Sequence, residues 1–372
     1  MKSEQLHSKI LGLVSLIGLM GLWGCSNDET AEPRMTTVQL MSYVTDYEDA
    51  TNNGPVTRAW TPPTGYLPYG EDDKVIGIAF TQNGQEPKTG NFFKSSGKWL
   101  ANIDEISSGS YYLYGYIPHI SGMSMTITDR DGANAHYSSG AKVTLQNVPA
   151  IMPNDLCVTI GAKQGTDKET VTGLRMGDFG YTASGSNNYV FLLFDHLYAA
   201  LRIDMKVYGE YNNLRTIVLK SLSMKTQTGE TTSHEKTDIA IDLKATDGSD
   251  PEESPIQSIT YTPQGEVISE PMEFWSSTGE TLTTEFSPHI GHFMPTGITK
   301  LILTSVYDVY DKKGNLLRQN CKATNTMLLS DLLTDQTTTR RGCRYTVRMT
   351  IQPTYLYVLS DPDLDNPTVV VN

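Results

Sequence analysis

The chain has 372 residues, with 29 Lys and Arg against 42 Asp and Glu, a formal net charge of −13. Such an excess of acid argues against nucleic acid as a partner, since nucleic-acid binders gather Lys and Arg on one face, and most of it lies after Arg58, where it favours solubility outside the cell. The length allows about two domains. Apolar residues come in short clusters broken by Gly, Pro, Asn and Thr, with no helical period lasting beyond about three turns, which is an all-β composition.

In chain order, Lys2 and Lys9 bracket the start of an uncharged apolar run over residues 10–23, the layout of a secretory signal. The run is too short for a membrane-spanning helix, which needs roughly 20 apolar residues. Gly24 directly before Cys25, with Leu22 three positions before it, resembles the lipobox of bacterial lipoproteins, where the Cys thiol is acylated and becomes the new N-terminus. Residues 1–25 are therefore the expected signal peptide and Cys25 the expected lipidation site, holding the precursor to the outer membrane. Ser26-Asn27-Asp28-Glu29 is similar to the acidic export signal of surface lipoproteins of the Bacteroidota.

Residues 35–60 read as a strand followed by a cuttable tether. Val38, Leu40 and Val44 fall at even spacing, so an extended chain turns them to one face while Gln39, Met41 and Tyr43 take the other. Residues 46–55 hold three acids, two Asn, a Gly and a Pro, a composition that favours turns. Arg58 and Ala59 then stand in an exposed-looking segment as the expected cut site. A strand packed in the fold but joined through a protease-accessible loop can be removed by one cut, leaving an apolar groove. An ordinary first strand and loop is the competing reading.

The body continues in short strands. Residues 74–80 form the first, and residues 110–117 carry Tyr112, Tyr114 and Tyr116 on one face with Tyr111, Leu113 and Ile117 on the other. These tyrosines suit cross-strand packing better than a sugar platform. Residues 143–148 and 155–160 follow, and the Gly/Ser/Asn-rich residues 177–188 read as a loop. Residues 189–207 are the most apolar part of the body and form two strands around His196, which reads as a hydrogen-bonded packing residue because no second His or Cys lies at ligand spacing. A domain boundary is expected here, dividing 59–199 from 200–372. Ile239, Ile241 and Leu243 alternate, residues 300–321 read as a hairpin turning at Gly314, and Tyr345, Val347, Met349 and Ile351 mark the most regular amphipathic strand. Two further β-like pieces close the chain, residues 354–359 with Tyr355 and Tyr357, and residues 368–371 with Val369 and Val371.

Chemistry-bearing motifs are few. Asp361, Asp363 and Asp365 alternate like a calcium loop, but Asn366 stands where that loop needs Gly. His289 and His292 would splay apart in a strand, which argues against zinc. Cys157, Cys321 and Cys343 leave disulfide pairing open. With no nucleophile elbow, phosphate loop or dinucleotide fingerprint, the reading is a non-enzymatic protein without a cofactor.

Taken together, the Cys25 lipobox, the Thr57-Arg58-Ala59 step, Asn154-Asp155-Leu156 before a strand, Phe194-Asp195-His196-Leu197 leading into Ala200-Leu201-Arg202-Ile203, and Gly342 to Tyr345 before the last amphipathic strand resemble the fimbrillin family of the Bacteroidota, subunits of type V pili. The resemblance implies two transthyretin-like β-sandwiches in tandem and a location at the cell surface in a fimbrium. It also implies cleavage after Arg58 and polymerisation with other fimbrial subunits by strand exchange. Val38, Leu40 and Val44 would then leave the groove, and Tyr355, Tyr357, Val369 and Val371 would either belong to a donated strand or complete their own domain as its last strands. The alternatives are a surface lipoprotein that binds a host glycan or protein without polymerising, and a secreted hydrolase on a β scaffold.

Overall fold

A computed structural model describes residues 36–37, 39–49, 67–68, 74–95, 98–103, 106–132, 136–165, 174–183, 189–247, 253–332, 337–354 and 363–371. Cys25, Val38, Arg58, Ala59, Tyr355 and Tyr357 lie outside the described residues. The architecture is all-β, with two short helices, Gly209–Leu214 and Leu329–Leu332, among the described residues. No described helix is long and apolar enough to cross a membrane.

The described strands gather into four sheets that pack as two sandwiches. In the first, a ten-stranded sheet faces a four-stranded one. Tyr114, Tyr116, Val158, Phe191 and Leu193 from the large sheet meet Val143, Leu145, Ile239 and Ile241 from the small one. In the second, a six-stranded sheet faces a five-stranded one, with Leu201, Ile203, Tyr345 and Val347 against Ile217, Leu219, Leu301 and Leu303. Period-two alternation makes these cores: Gly109–Ile117 turns Tyr114 and Tyr116 into the sandwich and Tyr111, Leu113 and Ile117 to the opposite face, as the spacing predicts.

That opposite face of the ten-stranded sheet is not left to water. Ile78, Phe80, Phe92, Leu113, Val190, Leu192 and Phe194 form a third buried cluster on it. The sheet curls to enclose them, with Thr36–Thr37 pairing antiparallel to Lys98–Ala101 at one end while Gln39–Val44 pairs parallel to Tyr189–His196 near the other. Residues 36–37 and 39–44 thus sit near opposite ends of this sheet.

Three features depart from the sequence reading. Gly180–Ala183, inside the expected loop, is a strand paired with Gly109–Ile117. The hairpin of His234–Lys244 and Ile256–Val267 comes from the second half of the chain, yet it pairs antiparallel with Gly140–Pro149 and belongs to the first sandwich. Ile151–Met152 crosses the other way, joining Ser287–Phe293 of the second. Strand membership thus does not divide at Ala199, because pairings such as Val143↔Ile241 outweigh nearness in sequence. Val369 and Val371, for which both a donated strand and a place in their own domain are open, sit opposite Ile351 and Met349, where Asp363–Val371 pairs antiparallel with Cys343–Thr354 of its own sandwich. The Val369 side chain is buried there, and its carbonyl accepts a hydrogen bond from Asn325 Nδ2 at 2.8 Å.

Candidate functional site

The leading segment and its seat form the candidate site. Gln39–Val44 lies alongside Tyr189–His196 in register from Gln39↔Tyr189 to Val44↔Phe194, and its other side meets the two-residue Leu67–Pro68. Alternation sends Leu40 and Val44 into the enclosed cluster with Leu192 and Phe194, and Tyr43 toward the sandwich core, the division expected from their spacing.

Beyond Val44 the segment leaves the ladder and turns polar. Thr45 N–H donates to the Phe194 carbonyl at 3.1 Å, and its hydroxyl donates to Asp195 Oδ1 at 2.8 Å. The Thr45 carbonyl accepts from His196 Nε2 at 2.7 Å. Tyr47 lays its ring on the His196 imidazole, with centroids 3.8 Å apart and planes 22° from parallel, and its ring also stacks near His292 at 6.1 Å. Glu48–Asp49 then pairs parallel to Cys343–Arg344 of the second sandwich, where Glu48 N–H donates to the Gly342 carbonyl at 2.9 Å and the Cys343 thiol lies 3.7 Å from Glu48 Oε2. Within residues 39–49 the chain thus docks first on one sandwich and then on the other.

The floor of this seat is an ion network. His196 Nδ1 is 2.7 Å from Asp155 Oδ2. Arg341 Nη1 donates to Asp195 Oδ2 at 2.7 Å and to the His196 carbonyl at 3.0 Å. Burial opposes charge on both members of the first pair, but the pair reverses it. Against that burial, His196, with lesser help from His292 and Tyr47, draws the Asp155 carboxyl down to about 2. Asp155, Asp195 and the Thr45 carbonyl raise His196 above its ordinary value despite burial. Burial itself dominates at His292 and pushes its pKa down; its Nδ1 lies 3.2 Å from the Pro153 carbonyl. With a carboxylate oxygen at Nδ1 and a carbonyl oxygen at Nε2, His196 donates from both nitrogens as an imidazolium, and the aromatic ring above it receives a cation–π contact.

Asp155, Cys157 and His196 also bring ligand-type atoms within 4.8 Å of one another, and Cys157 Sγ is 3.6 Å from His196 Nδ1. An imidazolium has no lone pair to give a metal, so the arrangement fits an ion pair rather than a metal centre. His289 and His292 diverge: His289 Nε2 bonds Glu280 at 3.0 Å with its ring on the edge of Trp275, while His292 faces Pro153. Among the described residues Cys157, Cys321 and Cys343 are not joined by disulfides.

The spacing puts Leu40 and Val44 on one face and gives His196 a packing role, but it does not bring Tyr47, Asp155 as ion partner, Arg341 or His292 to His196. Four separate stretches of chain supply them, so no local spacing carries the signal.

No family model matches the chain, and no curated protein matches it. Among solved structures it is similar to a candidate cell adhesion protein of Bacteroides fragilis, with 11% identity and a TM-score of 0.41 over 90% of this chain and 97% of that one. It is also similar to a fimbrial protein of Bacteroides ovatus, at 10% identity and a TM-score of 0.31 over 88% of this chain and 53% of that one. A third is the fimbrial anchor protein Mfa2 of Porphyromonas gingivalis, at 11% identity and a TM-score of 0.24 over 89% of this chain and 95% of that one.

Proposed function

We propose that the chain is an adhesive or structural subunit of a cell-surface fimbria, exported as a lipoprotein on Cys25, cut after Arg58, and joined to a neighbouring subunit by exchange of the leading strand. The observation that carries this reading is the placement of residues 39–49: they fill strand positions in the large sheets of both sandwiches, while the chain beyond them passes through Arg58. Removing the segment uncovers the ladder groups of Tyr189–His196 and the side-chain sites of Leu40 and Val44, each worth roughly 1.5–3 kcal/mol when fully buried. A slot of that kind is unstable empty, and a strand from another chain supplies both backbone hydrogen bonds and apolar side chains. Because Asp363–Val371 is housed in its own sheet, the subunit is read as one that receives a strand.

Arg58→Ala tests this. N-terminal sequencing of the wild-type protein from cells should give Ala59, and the variant should keep Cys25 as its first residue and lose the high-mass ladder on a gel. A ladder that persists in Arg58→Ala overturns the processing step. The polar ties of Thr45 and Tyr47 favour a second reading, a surface lipoprotein that keeps its leading segment and binds a host glycan or protein. Wild type beginning only at Cys25 would select it.

A further inference from the structure

We propose that the seat of Tyr47 is a selectivity slot, which admits an exchanging strand only if that strand lays an aromatic ring on His196. The proposal rests on the strand-exchange reading and adds the chemistry of the incoming chain. A strand running in the same direction as residues 39–49 must carry its aromatic residue three positions beyond its last ladder residue, as Tyr47 follows Val44.

Much of the slot is built from residues outside the leading segment. Asp155, from the turn before Cys157–Gly165, holds His196 Nδ1 at 2.7 Å, and Arg341, ahead of Cys343–Thr354, holds Asp195 at 2.7 Å. His292 of Ser287–Phe293 is tied to the Pro153 carbonyl. These contacts tie two acids, one arginine and two imidazoles together from four elements, and none of them involves the segment. The segment contributes the Thr45 hydroxyl on Asp195, the Thr45 carbonyl on His196 Nε2, and Tyr47, whose ring lies on the imidazole face and whose hydroxyl interacts with Asp155. Any backbone supplies the carbonyl. The ring is what distinguishes one strand from another: an aliphatic side chain would cover the imidazolium without the attraction of an aromatic face, and bury it at a cost.

The test uses the full chain with a site-specific protease sequence inserted in the 50–66 stretch and then cut, its own leading segment still seated. Labelled peptides of residues 36–50 compete for the seat as wild type, Tyr47→Phe and Tyr47→Leu. Wild type should exchange best, Tyr47→Phe less well because it keeps the ring but loses the hydroxyl that interacts with Asp155, and Tyr47→Leu roughly tenfold weaker than Tyr47→Phe. If Tyr47→Leu exchanges as well as Tyr47→Phe, exchange stands and the selectivity for an aromatic ring is overturned. If no peptide exchanges, wild type included, the strand-exchange reading itself fails and the slot with it.

Discussion

A histidine pressed between two aspartates and beneath a tyrosine ring belongs in a core only if it is charged and hydrogen-bonded, and His196 is both. Its ordinary value of 6.5 is raised in the fold, so its share of stability is complete below 6.5 and is lost as pH rises through the raised value. Asp155 runs the other way: lowered from 3.8 to about 2, it contributes above 3.8 and loses that contribution as pH falls through about 2. Both contributions are in force together between 3.8 and 6.5. Asp155→Asn leaves a buried imidazolium without its counter-ion, a change that costs about 3–5 kcal/mol. Thermal unfolding of wild type and variant across pH should show the widest gap in Tm in that window, narrowing above it; a gap that widens steadily toward pH 9 would contradict the assigned charges. The packing role of His196 was legible in the sequence, because no other His or Cys stood at ligand spacing. Its partners were not, since Asp155 and Thr45 reach it only through a strand pairing that local pattern cannot report.

At the scale of the element, alternation proved a reliable guide to which side chains share a face and a poor one to which strands pair. Leu40 and Val44 go to one cluster and Tyr43 to the other, and the tyrosines of Gly109–Ile117 divide as their spacing says. Parallel pairing with Tyr189–His196 could not be read, because it joins residues 150 apart. Leu40 is buried in the enclosed cluster, so Leu40→Ala should cost about 2–5 kcal/mol in chemical denaturation. A loss near zero would mean the strand is seated loosely. The final strand offers a sharper choice. Its β-branched, uncharged residues 368–371 suit a donated strand, but Val369 is buried opposite Ile351 and its carbonyl is held by Asn325. Deleting residues 361–372 should therefore lower the melting temperature of the monomer by several degrees, as expected when about 1–2 kcal/mol is lost from a domain. An unchanged melting temperature together with lost polymerisation would return the strand to the donor role.

The whole molecule is held together by strands that cross between its halves. The hairpin of His234–Lys244 and Ile256–Val267 enters and leaves through the second sandwich but builds the small sheet of the first, placing Ile239, Ile241 and Leu243 in that core. Ile151–Met152 returns the exchange, and residues 39–49 pair with both. Two sandwiches joined by a single linker would unfold as independent units, each with its own transition. Here neither core is complete without chain from the other half, so local opening of one sandwich removes side chains or ladder partners that the other half must supply. Calorimetry should accordingly show one transition, with the measured enthalpy equal to the van't Hoff value. Ile241→Ala makes the test specific, since this residue is encoded in the second half but buried in the first sandwich. The substitution should move the entire transition to lower temperature, by an amount set by a core truncation of about 2–5 kcal/mol. Two resolved peaks, of which only the lower one moves, would show that the crossing hairpin does not couple the sandwiches.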